Sequence, residues 1–306
     1  MSLLAGFDLG GTHLKYGVLD KQRNVVFEAK SDTPGKIKEL LSLLEDLWNA
    51  LKKREEATIS SVGFGFPGIF NVNEQKILQS PNYPELDNFN LRPALARFIE
   101  VPFHINNDAN MAAYGEYRLG AGRGTRTMML ITIGTGVGSG IIQEGKILQG
   151  SCGFAGELGH VTVNPDGESC NCGSRGCLET EVSAPKIVKN YRALSKSKDE
   201  ITSEEVFTRA KQHDKDARQA FAQAGRYLGI GLSIALNLIN PEKILIGGGV
   251  MKAEEFLLLP ALEEARERAY DASFRCCQIQ RATLGNKAGF IGASLWAEEQ
   301  SLKQED

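Results

Sequence analysis

No uninterrupted apolar run in this 306-residue chain approaches the ~20 residues that a membrane-spanning helix needs. The longest, Ile230 to Ile239, is broken by Ser233 and Asn237. Positive charge is not in excess: 35 Lys and Arg against 38 Asp and Glu give a net charge of −3. That balance argues against nucleic acid or an anionic membrane as the main partner. The start, Met1 to Asp8, has no basic segment before its apolar residues and reads as no secretion signal, so a cytoplasmic location is expected. Cysteine is scarce, six residues, which excludes a disulfide scaffold. Pro- or Ser/Gly-rich linkers, low-complexity runs and charge blocks are missing, so only Leu302 to Asp306 is expected to fray. The length favours two domains, and a hydrophobic content of 42% supplies their cores.

Glycine, in contrast, is abundant and clustered. There are 33, and nine fall between Gly134 and Gly159, where average usage would place about two. Smaller clusters stand at Gly10-Gly11, Gly63/Gly65/Gly68 and Gly247-Gly248-Gly249. Glycine serves turns and close approaches of backbone to ligand, so the surplus reads as several ligand-facing turns.

Periodicity gives a coarse layout. Strands are expected at Leu3–Phe7, Leu14–Val18, Val25–Phe27, Ile59–Phe66 and Phe103–Asn106, with helices over Lys36–Leu51, Arg92–Phe98 (capped by Asn90) and from Asp108 to Tyr117. The pattern then restarts. Thr127–Ile133 reads as a strand, Gly134–Gly140 as a turn, and Ile141-Ile142 as the next strand, closed by a Glu144-Gly145-Lys146 hairpin. Helices follow at Ser203–Lys211, Asp214–Leu238, Ala253–Ala269 and Ala288–Glu299, with strands at Lys243–Ile246 and Cys276–Gln280. A strand, a glycine turn and a strand thus occur twice, at Asp8-Leu9-Gly10-Gly11-Thr12 and at Gly134-Thr135-Gly136-Val137-Gly138. This indicates two α/β domains of related topology.

Each glycine turn is either an ordinary hairpin or an anion site made of bare amides, with Asp8 able to hold a metal-bound water. The stretch Gly140–Lys146 mimics a P-loop but has Ile147 where Ser or Thr is needed, and Gly247-Gly248-Gly249 lacks the remaining dinucleotide-binding spacing. Those glycines suit a base or ribose lying against the chain. His160, Cys170, Cys172 and Cys177 form H-x9-C-x-C-x4-C, a tetrahedral zinc set whose alternatives are a disulfide or inert thiols. Four protein ligands leave no open position, so the metal would be structural. Cys276-Cys277 and Cys152 read as buried packing residues. Asp108 lies between a strand and a helix, and its plainest reading is a helix cap.

Taken in order, these motifs resemble those of the ROK sugar kinases and repressors, members of the actin/hexokinase-like ATPases. The resemblance rests on Asp8–Thr12, Gly65-Phe66-Pro67-Gly68, Ser80-Pro81-Asn82, Asn107–Asn110, Gly134–Gly138, Gly156–His160, Cys170–Glu179 and Gly247–Val250. It implies an α/β fold of two ribonuclease-H-like domains around a central cleft with a small zinc knuckle. The domains would be residues 1–120, completed by the helix 288–306, and 121–287 with the zinc loop 160–177. The implied activity is transfer of the ATP γ-phosphoryl to a hexose hydroxyl, glucose to glucose 6-phosphate first. N-acetylmannosamine, N-acetylglucosamine, fructose and allose are alternative acceptors. Asp108 would be the general base. Gly68, Asn82, Asn107, Asp108, Glu157, His160 and Glu179 would bind the sugar. Asp8, Gly10, Gly11, Thr12, Thr135, Gly136 and Gly248 would bind ATP with Mg²⁺. His160, Cys170, Cys172 and Cys177 would hold Zn²⁺. A homodimer is implied by the resemblance alone.

Three departures from the family pattern stand out: Asn71 after the Pro-Gly turn, Tyr83-Pro84-Glu85-Leu86 without the usual Trp, and Ser139 in place of Gly. The second adjoins the sugar pocket. A sugar-responsive repressor would need a DNA-binding helix-turn-helix before the first glycine turn, which here begins at Asp8. A non-catalytic sugar sensor would use the same pocket, but Asp108 speaks for an enzyme.

Overall fold

Alternation along the first strand, β1 (Ser2–Leu9), sets out the first sheet. Leu3, Ala5, Phe7 and Leu9 face one side, and Leu4, Gly6 and Asp8 the other. In the computed structural model, which describes residues 2–54, 58–71, 74, 76–80, 83–198 and 200–305, the chain continues through β2 (His13–Leu19), β3 (Val25–Asp32), α1 (Ile37–Arg54) and β4 (Thr58–Phe66). A two-stranded hairpin follows, β5 (Ile69–Asn71) and β6 (Lys76–Gln79), then α2 (Leu91–Leu95), β7 (Phe103–Asn107) and α3 (Asp108–Leu119). Next come β8 (Thr127–Ile133), β9 (Val137–Gln143), β10 (Lys146–Ile147), α4 (Leu178–Val182), α5 (Ala184–Ser195), α6 (Ser203–Lys211) and α7 (Lys215–Leu238). The chain ends with β11 (Lys243–Gly247), α8 (Glu254–Arg268), α9 (Asp271–Cys276), β12 (Gln278–Arg281) and α10 (Ala288–Glu305).

The two five-stranded sheets have the same order, β3-β2-β1-β4-β7 and β10-β9-β8-β11-β12. In the first, β1 pairs antiparallel with β2 and parallel with β4, and β4 pairs parallel with β7. In the second, β11 pairs parallel with both β8 and β12. The repeated strand, glycine turn and strand therefore open two sheets of one design. The chain divides into two compact units, Met1–Gly124 with Gly140–Gly156 and Thr283–Asp306, and Thr125–Ser139 with Glu157–Ala282.

One face of the first sheet is an ordinary apolar layer. Phe7 stacks on Phe64 at 5.1 Å, and the α1 stripe Leu40, Leu44, Trp48 and Leu51 is buried in the same cluster. Each such side chain contributes about 1.5–3 kcal/mol by leaving water. On the opposite face, glycine decides the packing of α10. A Cβ on Gly63 would stand 1.8 Å from the carbonyl oxygen of Ala293, and one on Gly292 would stand 1.7 Å from that of Met111 in α3. Helix α10 thus lies with its backbone against strand and helix, a distance no larger residue permits. The glycine surplus therefore divides between turns and close packing.

In the second unit, β8 and β11 carry runs of buried apolar residues, as parallel strands covered on both faces do. Asp214 caps α7 by accepting from the amides of Asp216 and Ala217, and Thr202 with Glu205 forms a capping box on α6.

Several expectations need correction. The turn after β8 spans only Gly134–Gly136, closed by the Gly134 N–H donating to the Gly136 carbonyl at 2.9 Å, and β9 begins at Val137. Small glycines inside a strand disguised its start. Cys276 ends helix α9 and is exposed, and Cys277 is half-buried, so neither is a core residue of a strand. Cys152 is half-buried too. Asn90 stands at the N-cap of α2 without a side-chain capping bond. Leu302 lies within α10 rather than in a frayed end. Among the described residues no helix is long and apolar enough to cross a membrane.

The packing of α10 is testable. Gly292→Ala should lower the unfolding free energy by about 2–3 kcal/mol, the scale of overpacking against backbone that cannot yield. Gly35→Ala, with nothing within 4 Å of the new methyl, should change it by less than about 1 kcal/mol. Chemical denaturation measures both, and equal effects would contradict the packing.

Candidate active site and metal centre

Asp8 ends β1, and Asp108 opens α3. The two belong to the same unit, and each is half-buried by exposed area while sitting deep among protein atoms. Burial pushes the Asp8 carboxyl up to about 7, with the charge of Asp108 adding to the rise and Lys15 opposing it. Burial also pushes Asp108 up to about 6, against the opposing effects of its amide hydrogen bonds and of Lys15. The enclosure has identifiable walls. A Cβ on Gly289, in the first turn of α10, would meet the Asp8 carboxyl at 2.2 Å, and one on Gly65 would meet the Asp108 Cα at 3.2 Å.

The cap of α3 is Asn107, not Asp108. The Asn107 side chain accepts from the Asn110 amide at 3.0 Å and donates through Nδ2 to the Gly68 carbonyl at 2.9 Å. Asn and Asp cap helices about equally well, so adjacent candidates cannot be ranked by type. With the cap supplied by its neighbour, Asp108 receives only local amide bonds, including Ala109 N–H at 2.9 Å. Gly68, at φ +108°, lies against Gln79 and Ser80, so the Gly68–Asn107 bond ties the β5–β6 hairpin to the start of α3. Asn82 lies outside the described residues.

The first glycine turn is the tip of the β1–β2 hairpin. The Gly10 N–H donates to the His13 carbonyl at 2.9 Å, and Gly11 and Thr12 are exposed. The hairpin reading of this turn therefore holds, and the tip leaves Gly11 and Thr12 exposed. In the second unit Thr135 is exposed in the turn before β9, and Gly134 has open space where a Cβ would sit. Glu179, half-buried at the start of α4, accepts from the Val137 amide at 2.9 Å and so braces that same turn. Gly248, at φ +91°, packs against the backbone of Ile133.

Glu157 and His160 sit half-buried on a short helical turn. Ser139 Oγ accepts from the Leu158 amide at 3.1 Å, linking that turn to β9. The family departure at Ser139 is therefore a bracing contact. His160 Nδ1 lies 3.7 Å from Cys170 Sγ, and Cys172 Sγ lies 3.7 Å from Cys177 Sγ. All four ligand atoms fall within 4.8 Å of one another. Zinc bonds of about 2.0–2.3 Å in a tetrahedron give edges of roughly 3.3–3.8 Å. The donor set fits that ion by type and by spacing. Backbone bonds from Cys170 N–H to the Ser174 carbonyl (2.8 Å) and from Gly173 N–H to the Cys170 carbonyl (3.0 Å) form the knuckle. Glu181, which sequence reasoning passes over, is 2% exposed, accepts from Asn164 and pairs with Lys186 at 3.2 Å, bracing the knuckle from α4.

Comparison with known proteins places this architecture in a class. The sequence pattern of the ROK family matches residues 4–300, and the chain belongs to that family. It is similar to the glucokinase of Halalkalibacterium halodurans, 36% identical over 98% of this chain and 96% of that protein. It is also similar to the structure of a ROK family glucokinase from Streptomyces griseus in complex with glucose and AMPPNP. That structure has 31% identity and a TM-score of 0.86, covering 97% of this chain and 99% of that one. The xylose repressor of Caldicellulosiruptor bescii is 30% identical over 94% of this chain and 76% of the repressor.

Both raised carboxyls hold a proton more tightly folded than unfolded. Their contribution favours the folded state at acid pH and fades as pH rises from about 4 to about 7. Without nucleotide or Mg²⁺, Asp108→Asn should therefore be more stable than the wild type at pH 8. The gain is of order 1 kcal/mol once screening of a half-buried group is allowed for, and it should close toward pH 4. Thermal unfolding across that range measures it, and a destabilised variant at pH 8 would contradict the enclosure.

Proposed function

We propose that this chain is an ATP-dependent glucokinase, transferring the γ-phosphoryl group of ATP to the 6-hydroxyl of glucose. The observation that carries the reading is Asp108: a carboxyl in the first helical turn, relieved of capping by Asn107 and raised by burial to about 6. A base with that proton affinity is mostly ionised at neutral pH yet still accepts a proton well. The glucokinase names and glucose-bound structure among the relatives support glucose as the acceptor.

In the proposed reaction Asp108 takes the proton of the sugar hydroxyl as its oxygen bonds to the γ-phosphorus. The bond from phosphorus to the bridging oxygen breaks, and ADP leaves. Asn107, Glu157, His160, Glu179, Gly68 and Asn82 are the proposed sugar contacts. His160 suits this role because Nδ1 is directed at the cysteine sulfur, which leaves Nε2 for a hydroxyl. Gly10, Gly11, Thr12, Thr135, Gly136 and Gly248 are the proposed nucleotide contacts. Asp8 makes no hydrogen bond to a described side chain and is held near neutral, which suits a carboxylate waiting for a cation. Mg²⁺ held there through water would neutralise phosphate charge. Zn²⁺ on His160, Cys170, Cys172 and Cys177 would fix the knuckle and the His160 ring, without an open position for chemistry. A cytoplasmic homodimer completes the proposal. Six unpaired cysteines suit a reducing compartment, and the dimer rests on the family resemblance.

Coupled ADP-release assays over glucose, fructose, allose, N-acetylglucosamine and N-acetylmannosamine should give glucose the highest kcat/KM. Asp108→Ala should lower kcat roughly 10²–10⁴-fold while glucose affinity stays within a few fold. Near-normal turnover would remove Asp108 as the base, and sugar binding without turnover by the wild type would favour a sensor. Elemental analysis should find one zinc per chain, with Cys172→Ser losing it. Zinc-free protein as purified would contradict the metal assignment.

A further inference from the structure

Three helices of the second unit turn polar residues toward one place. Lys186 and Asn190 stand one turn apart on α5, Gln223 and Tyr227 on α7, and Glu264 and Arg268 on α8. Helix faces that meet inside a domain ordinarily carry apolar residues. Here they line a cavity of about 510 Å³, to which Arg226 of α7 and Glu181 of α4 also contribute. Ile230 is its one aliphatic wall residue. The volume falls within the roughly 300–1,000 Å³ of small-molecule sites. So hydrophilic a lining suits a ligand rich in hydroxyls or charge rather than an apolar one.

The charges show which ligand. A Cβ on Gly229 would stand 2.6 Å from the Cβ of Glu264, so α7 and α8 close tightly there and bury Glu264. Arg226 and Arg268 both donate to this carboxylate through Nε, one to each oxygen, at 3.3 and 2.5 Å. Burial works to raise the Glu264 carboxyl, but the bonds from Arg268 and Arg226 outweigh it, so the group stays charged. One buried acid thus orients two guanidiniums. The terminal nitrogens of both arginines make no hydrogen bond to a described residue. The other cation of the cavity is already answered: Lys186 meets Glu168 and Glu181, and Lys189 shares Glu168. The net positive charge therefore resides in the arginine pair. Two guanidinium forks held side by side match the oxygens of a phosphate group. The side chains of Asn190, Gln223 and Tyr227 also make no hydrogen bond to a described residue, and amides and a phenol can both donate to and accept from hydroxyls.

We propose that this cavity is a second ligand site that binds a small sugar phosphate, its phosphate on the forks of Arg226 and Arg268 and its hydroxyls on Asn190, Gln223 and Tyr227. Isothermal titration with glucose 6-phosphate tests it, at saturating glucose so that a hexose site elsewhere is already filled. The wild type is compared with Arg226→Gln and Arg268→Gln, each of which leaves Glu264 one partner. Each should bind about 10- to 100-fold more weakly, the size of one lost charge-assisted contact, with glucose affinity unchanged. Inorganic phosphate should bind the wild type roughly tenfold or more weakly than the sugar phosphate. No binding by the wild type, or equal affinity in the wild type and both variants, overturns the site. Inorganic phosphate binding as tightly as glucose 6-phosphate overturns the ligand class. Should either variant fail to fold, Arg226→Lys, which keeps the charge beside Glu264 and loses only the fork, is read against the same outcomes. A chain that binds the sugar phosphate through these arginines but phosphorylates no hexose would end the kinase reading and leave this site standing.

Discussion

The backbone of α10 rests on the first sheet and on α3 through glycines, and the chemistry proposed for this protein depends on that contact. Gly63 lets Ala293 approach the sheet, and Gly292 lets the helix touch Met111 of α3. The same seat carries Gly289 onto the Asp8 carboxyl, while α3 begins with Asp108. This packing crowds Asp8, Gly65 of β4 closes on Asp108, and enclosure lifts the proton affinity of both acids toward neutrality. The last helix of the chain thus shapes the environment of a residue near its beginning.

Enclosure has an energetic cost that function explains. Two acids kept from full solvation weaken the unliganded fold above their pKa values. Stability is surrendered at the two carboxyls to which the proposed reaction assigns a base and a cation site.

Much of this was legible in the sequence. The doubled strand, glycine turn and strand predicted two sheets of one topology, and the two strand orders agree. Spacing alone grouped His160 with three cysteines that the fold brings within 4.8 Å. The misses have physical reasons. Asn107 and Asp108 are adjacent and equally able caps, so only the hydrogen bonds could separate them. The β5–β6 hairpin is short, and α4 and α5 follow directly on the knuckle motif that dominates the reading of that region. Ser139 and Glu181 matter through partners distant in sequence, which no local pattern reveals.

The most direct test of the central claim is the pH dependence of kcat/KM for glucose at saturating Mg-ATP, which reports the ionisation of the free base. The account predicts an acid limb with an apparent pKa near 6, the value to which burial raises Asp108. A limb at the ordinary carboxylate value near 4, or a flat profile through that range, would contradict it.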